Sequence, residues 1–143
     1  MKAFAVLLVF VAAPLAYGQD EAHLTEDQLL ATVEAVNAAQ NAVMRQGSDT
    51  STVDDLFDLY TDDFVYEHEV YGGTYTRETL YQNTVNHLNR GGYTMTEDRY
   101  TILRRIPGRN AVAVERRENG GAIHLSVFEF RGAKVSRIVE YWE

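Results

Sequence analysis

Histidine is the side chain whose unperturbed charge change falls near neutral pH, so the four histidines of this chain are its first candidates for proton transfer. They are His23, His68, His87 and His124. His68 lies in an alternating run, with Phe64, Tyr66, His68 and Val70 on one face and Val65, Glu67, Glu69 and Tyr71 on the other, which is the period of a strand. His124 alternates in the same way with Ser126 and Phe128. His87 follows Asn83 and Thr84 by one helical turn and reads as a half-exposed helix residue, with a place on the pocket rim as the alternative, while His23 falls in an N-terminal tail. Glu67-His68-Glu69 has metal-ligand residue types, but neighbouring strand side chains point to opposite faces, so the two carboxylates cannot join His68 on one ion. The chain has no cysteine, which excludes a thiol nucleophile and a thiolate metal site. No Ser-His-Asp signature, phosphate loop or dinucleotide fingerprint is present. The expectation is therefore no metal and no cofactor.

These residues need elements to hold them. Thr25 with Gln28 forms a capping-box pattern, and Leu29, Val33, Val36, Gln40 and Val43 then recur at helical spacing up to a stop at Gly47. Ser51 or Thr52 is the expected cap of a second, shorter helix carrying Leu56, Phe57, Leu59 and Tyr60. The strand over residues 64–71 follows, then a turn at Gly72-Gly73 and a third helix capped by Thr76 that ends near Gly91-Gly92. The remainder is predicted as four strands in an antiparallel meander: 93–106, 111–118, 122–130 and 134–142. The turns between them fall at Pro107-Gly108-Arg109-Asn110, Asn119-Gly120-Gly121 and Gly132. Arg104, Arg105, Arg109, Arg116 and Arg117 cluster with Glu115 and Glu118 around the first of these turns, which predicts cross-strand ion pairs, with a patch for an anionic partner or a dimer contact as the alternative. The tyrosines along the chain suit half-buried strands and can also stack on an aromatic ligand. Helix, helix, strand, helix and then a run of strands predicts an α+β domain. A curved sheet with helices on one side encloses a pocket between them.

The first 18 residues stand apart. Lys2 precedes the apolar run Ala3 to Ala16, and small residues at Ala16 and Gly18 suit a signal peptidase. The run is shorter than the roughly 20 residues that span a bilayer. The expected organisation is a signal peptide over 1–18, a flexible tail over 19–24 and one domain over 25–143, exported to the periplasm or the extracellular space. Without cysteine, that domain must be held together by packing alone. A formal charge of −8 repels nucleic acid and anionic lipid, so neither nucleic acid nor, after cleavage, the membrane is an expected partner.

Three segments carry a resemblance to the nuclear transport factor 2-like superfamily and its SnoaL-like branch: Leu59-Tyr60-Thr61-Asp62-Asp63-Phe64; Gly72-Gly73-Thr74-Tyr75-Thr76-Arg77-Glu78; and Phe128-Glu129-Phe130-Arg131-Gly132-Ala133-Lys134-Val135 with Ile138-Val139-Glu140-Tyr141-Trp142. The likeness spans about residues 28–143. It implies a conical, barrel-like fold with three N-terminal helices packed on a curved, mainly antiparallel sheet, often homodimeric through that sheet. Ketosteroid isomerase-like members carry a general-base Asp where this chain has His68, and an oxyanion Tyr and Asp at positions that fall near Gln40 and Ser126. The Asp of the SnoaL-type cyclases has no clear match.

The resemblance turns His68 inward with Phe64 and Tyr66, and His124 inward with Ser126 and Phe128. The expected pocket is therefore apolar, with His68 and His124 as acid and base, and Gln40, Phe64, Tyr66, Ser126, Phe128 and Trp142 as ligand contacts. Three functions fit that pocket. One is the binding of a small apolar or aromatic molecule. Another is a cofactor-independent isomerase, cyclase or dehydratase that moves protons through His68. The third is an interaction domain that dimerises through its sheet, with the pocket filled by side chains.

Overall fold

A computed structural model describes residues 23–70 and 72–142. The proposed signal peptide, most of the tail and Tyr71 lie outside the described residues. Of the tail, His23 sits beside the β-turn residues Arg109 and Asn110, 2.7 Å from the Arg109 Nη2 and 3.0 Å from the Asn110 Oδ1.

Helix α1 (Glu26–Met44) starts where its capping box predicts: Thr25 accepts from the Gln28 amide, and Gln28 returns a bond to Thr25. Its buried stripe is Leu29, Val33, Val36 and Val43, with Asn37 and Asn41 in phase. Helix α2 (Thr50–Phe57) is capped by Asp49, not by Ser51 or Thr52. A carboxylate at that position also complements the positive end of the helix. Strand β1 (Tyr60–His68) begins four residues earlier than the alternation at 64–71 indicates, and β2 (Gly73–Thr76) is a short strand that pairs back on it. Helix α3 (Arg77–Asn89) is capped by Thr76. Strand β3 (Tyr100–Gly108) starts seven residues later than the predicted long strand, and 93–99 forms an irregular segment tied to the end of α1 by mutual backbone bonds of Met95 with Met44 and Gln46. Strands β4 (Ala111–Glu118), β5 (Ile123–Arg131) and β6 (Lys134–Tyr141) complete the predicted meander.

The sheet has six strands in the order β2-β1-β6-β5-β4-β3. All neighbours are antiparallel except β1 and β6, which run parallel. The sheet is mixed and does not close on itself. One face carries the core: Val112 and Val114 of β4, Phe128 and Phe130 of β5, Val135 and Ile138 of β6 and Phe64 of β1 pack against Leu29, Val33, Val36, Val53 and Phe57 of the first two helices. Each such side chain contributes about 1.5–3 kcal/mol by leaving water. No helix in the described residues is long and apolar enough to cross a membrane.

Candidate functional site

The alternation that buries Val112 and Val114 also drives Arg116 into the interior, where its side chain is 1% exposed. On β6 the phase of Ile138 carries Glu140 inward, at 3% exposure. A buried guanidinium needs an anion and further acceptors to offset its lost hydration. Arg116 Nη2 donates to Glu140 Oε1 at 2.8 Å and to Ser126 Oγ at 3.0 Å, and Nη1 donates to Gln40 Oε1 at 2.6 Å. Ser126 Oγ in turn donates to Glu140 Oε2 at 2.6 Å, and the Trp142 indole donates to the same oxygen at 2.8 Å. Gln40 Nε2 reaches the Tyr60 hydroxyl at 3.3 Å. The Tyr100 ring lies 4.3 Å from the guanidinium carbon, a cation–π contact.

Tyr100 is held there by α1. The Asn41 amide donates to the Tyr100 carbonyl and accepts from its N–H, both at 2.9 Å. A side-chain amide thus pairs with both backbone groups of the first β3 residue, as a neighbouring strand would.

Above this polar floor is a cavity of about 140 Å³. Val43 and Met44 of α1, Leu56 and Phe57 of α2 and Leu80 and Thr84 of α3 form the helical walls; Tyr60, Tyr66, Tyr93 and Tyr100 contribute rings; Gln40, Arg116 and Glu140 form the polar part. Burial pushes the Tyr60, Tyr66, Tyr93 and Tyr100 phenols above their ordinary range, so they stay protonated near neutral pH. Tyr93 is braced from outside by the His87 ring, edge-on at 4.6 Å. Residue 92 must be glycine for this, since a Cβ there would fall 2.2 Å from the His87 Nε2.

The two histidines expected to line the cavity do not reach it. His68 and His124 are buried, but both pack on Trp142: His124 stacks at 3.9 Å with 13° between planes, and His68 meets the indole edge-on at 4.6 Å. In the sheet register His68 lies beside Glu140, and His124 beside Arg116. The long side chains of that ion pair occupy the polar floor, and Trp142 packs on both imidazoles. His124 Nε2 is 3.8 Å from Glu118 Oε1. Burial holds the His124 imidazole below its ordinary pKa, opposed in part by Glu118.

Of the expected ligand contacts, Gln40 and Tyr66 line the cavity. Ser126 and Trp142 lie behind it as partners of Glu140. Phe64 stacks on Tyr60 at 4.0 Å, and Phe128 is fully buried beneath Arg116. The arginine cluster also departs from its prediction. Arg116 pairs across two strands with Glu140, and Arg105 pairs with Glu34 of α1. Arg116 and Glu140 were legible from phase alone: an arginine in step with Val112 and Val114, and a glutamate in step with Ile138 and Trp142, both face the core. Among the described residues no group of three or more His, Cys, Asp or Glu side chains could hold a metal ion.

No protein-family model matches the sequence, and no curated protein matches it. Solved structures do. A SnoaL-like protein of unknown function from Burkholderia thailandensis superposes with a TM-score of 0.64 at 16% identity, covering 85% of this chain and 99% of that one. A nuclear transport factor 2-like protein of unknown function from Burkholderia xenovorans gives 0.60 at 20% identity, covering 82% and 84%. An LEH-like epoxide hydrolase of M. tuberculosis gives 0.58 at 17%, covering 82% and 84%. At these identities the likeness is one of fold.

Proposed function

We propose that this chain, whose fold is nuclear transport factor 2-like, binds a small, largely apolar molecule of about one ring in the cavity between its helices and its sheet. The observation that carries this reading is a cavity of about 140 Å³ walled by aliphatic side chains and four tyrosines. An engineered apolar cavity of about 150 Å³ in another protein holds benzene, so the volume suits a single ring, and neutral phenols offer it stacking faces.

Toluene is the plainest probe. Ligand-observed NMR is expected to show it binding the full chain, and Thr84→Trp, which places an indole in the cavity from the α3 wall, is expected to abolish the signal. Absence of toluene binding, or binding indifferent to Thr84→Trp, would sink the reading.

An enzymatic reading draws on Glu140, a buried carboxylate on the cavity wall. Its oxygens already accept three hydrogen bonds, from Arg116, Ser126 and Trp142. Using it as a base means giving up part of that set, so the arrangement favours binding over proton abstraction. Proton transfer through His68 draws less support still, because His68 does not line the cavity. We also propose a homodimer through the outer face of the sheet, where Leu103, Ile106, Ile123, Leu125 and Tyr141 are exposed.

A further inference from the structure

We infer that the ligand of this cavity is an uncharged single-ring molecule bearing a hydrogen-bond acceptor, such as a carbonyl or ether oxygen, held by spare N–H groups of the polar floor; the inference rests on the binding function proposed above. It follows from the unused donors of the floor and from its charge balance.

Arg116 has five N–H bonds. Nη2 serves Glu140 and Ser126, and Nη1 serves Gln40. The Nε–H is buried without an acceptor among the described residues. Nη1 uses one hydrogen in its bond to Gln40, leaving the other for a new acceptor. The Gln40 amide has likewise given one of its two N–H bonds, to Tyr60. Glu140 offers about four lone-pair sites, and three are taken. The buried Arg116 Nε–H therefore lacks an acceptor among the described residues, and a buried donor without a partner is costly. A ligand oxygen can remove that cost, whereas a purely apolar ring leaves it in place.

The charge balance sets the second condition. Arg116 and Glu140 neutralise each other at 2.8 Å. A carboxylate ligand would lie against Glu140, and an ammonium against Arg116, each with its hydration removed. Both are disfavoured relative to a neutral acceptor.

The test is calorimetric titration of the full chain with toluene, benzaldehyde, benzoate and benzylammonium. Benzaldehyde is expected to bind about ten- to hundredfold more tightly than toluene, the range for a hydrogen bond to a charged donor, and more tightly than either ion. In the neutral double variant Arg116→Met/Glu140→Leu the ratio of benzaldehyde to toluene affinity is expected to fall to about one. Equal binding of benzaldehyde and toluene by the wild type overturns the inference and leaves the pocket function standing. Tightest binding of benzoate or benzylammonium overturns the neutrality. Failure of all four probes, toluene included, overturns the pocket function and this inference together.

Discussion

His124 shows how burial turns a titratable side chain into a condition on stability. Its imidazole is stacked on Trp142 and almost fully enclosed, and desolvation lowers its pKa from the ordinary 6.5. In the folded chain it stays neutral at pH values where the unfolded chain already binds the proton. The unfolded state therefore gains protons first as pH falls through about 6.5, and stability is lost from there downward until the folded imidazole titrates too. Above that window the contribution is fully present. The urea midpoint is expected to drop between about pH 7.5 and about pH 5.5, a range in which ordinary carboxylates remain ionised. His124→Phe keeps an aromatic ring on the indole and removes the titration, so its midpoint is expected to change less over the same range. An equal pH response in both proteins would place the titrating group elsewhere.

Among the elements, α1 does more than cover the sheet. Its apolar stripe supplies core, and its polar residues in the same phase reach two strands: Gln40 bonds Arg116 of β4, and Asn41 clamps the first residue of β3. The clamp starts β3 at Tyr100 and sets the ring over the guanidinium. Asn41→Leu keeps the number and branching of the side-chain heavy atoms but can neither donate to the Tyr100 carbonyl nor accept from its N–H. Asn37 remains as a weaker donor to that carbonyl at 3.4 Å. The expected loss is about 1–3 kcal/mol, the scale for leaving a buried backbone group without its partner, read from urea unfolding. Benzaldehyde affinity is expected to fall with it, because Tyr100 is no longer fixed. A change under about 0.5 kcal/mol, which is ordinary for a surface position, would show that β3 does not depend on the clamp.

At the scale of the whole molecule the two faces of the sheet differ. The inner face holds the core and the polar floor. On the outer face Ile106, Ala113, Val127 and Val139 stand in register across β3, β4, β5 and β6, and Leu125 faces Tyr141. Ile106 is 61% exposed and Ile123 58%. Exposed apolar side chains on this face are what supports the dimer proposed above. Sedimentation of the wild type is expected to give a dimer, and Leu125→Glu a monomer that still binds toluene, since the substitution lies on the face opposite the cavity. A wild type that sediments as a monomer at high concentration would remove the dimer proposal.

The sequence alone determined the order of elements except for the short strand β2, which was read as part of a turn. Capping boxes, glycine turns and the periods of 3.6 and 2 are local signals, and they placed α1, α3 and the last three strands closely. Resemblance in three short segments led to the fold. The local signals were weaker where tertiary contacts override them. Asp49 outcompetes the hydroxyls for the α2 cap, and residues 93–99 leave the strand because α1 holds them by backbone bonds and Asn41 sets the start of β3. The inward phase of Arg116 and Glu140 could be read from alternation, yet their meeting could not. Positions 116 and 140 lie on β4 and β6, with β5 between them, and only the assembled sheet brings a guanidinium and a carboxylate to 2.8 Å. That pair, with Trp142 packed on His68 and His124, decided that the cavity floor would be a neutral ion pair and not two imidazoles. Burying the two charges requires that they pair, and pairing depends on three-dimensional distance, which no spacing along the chain encodes.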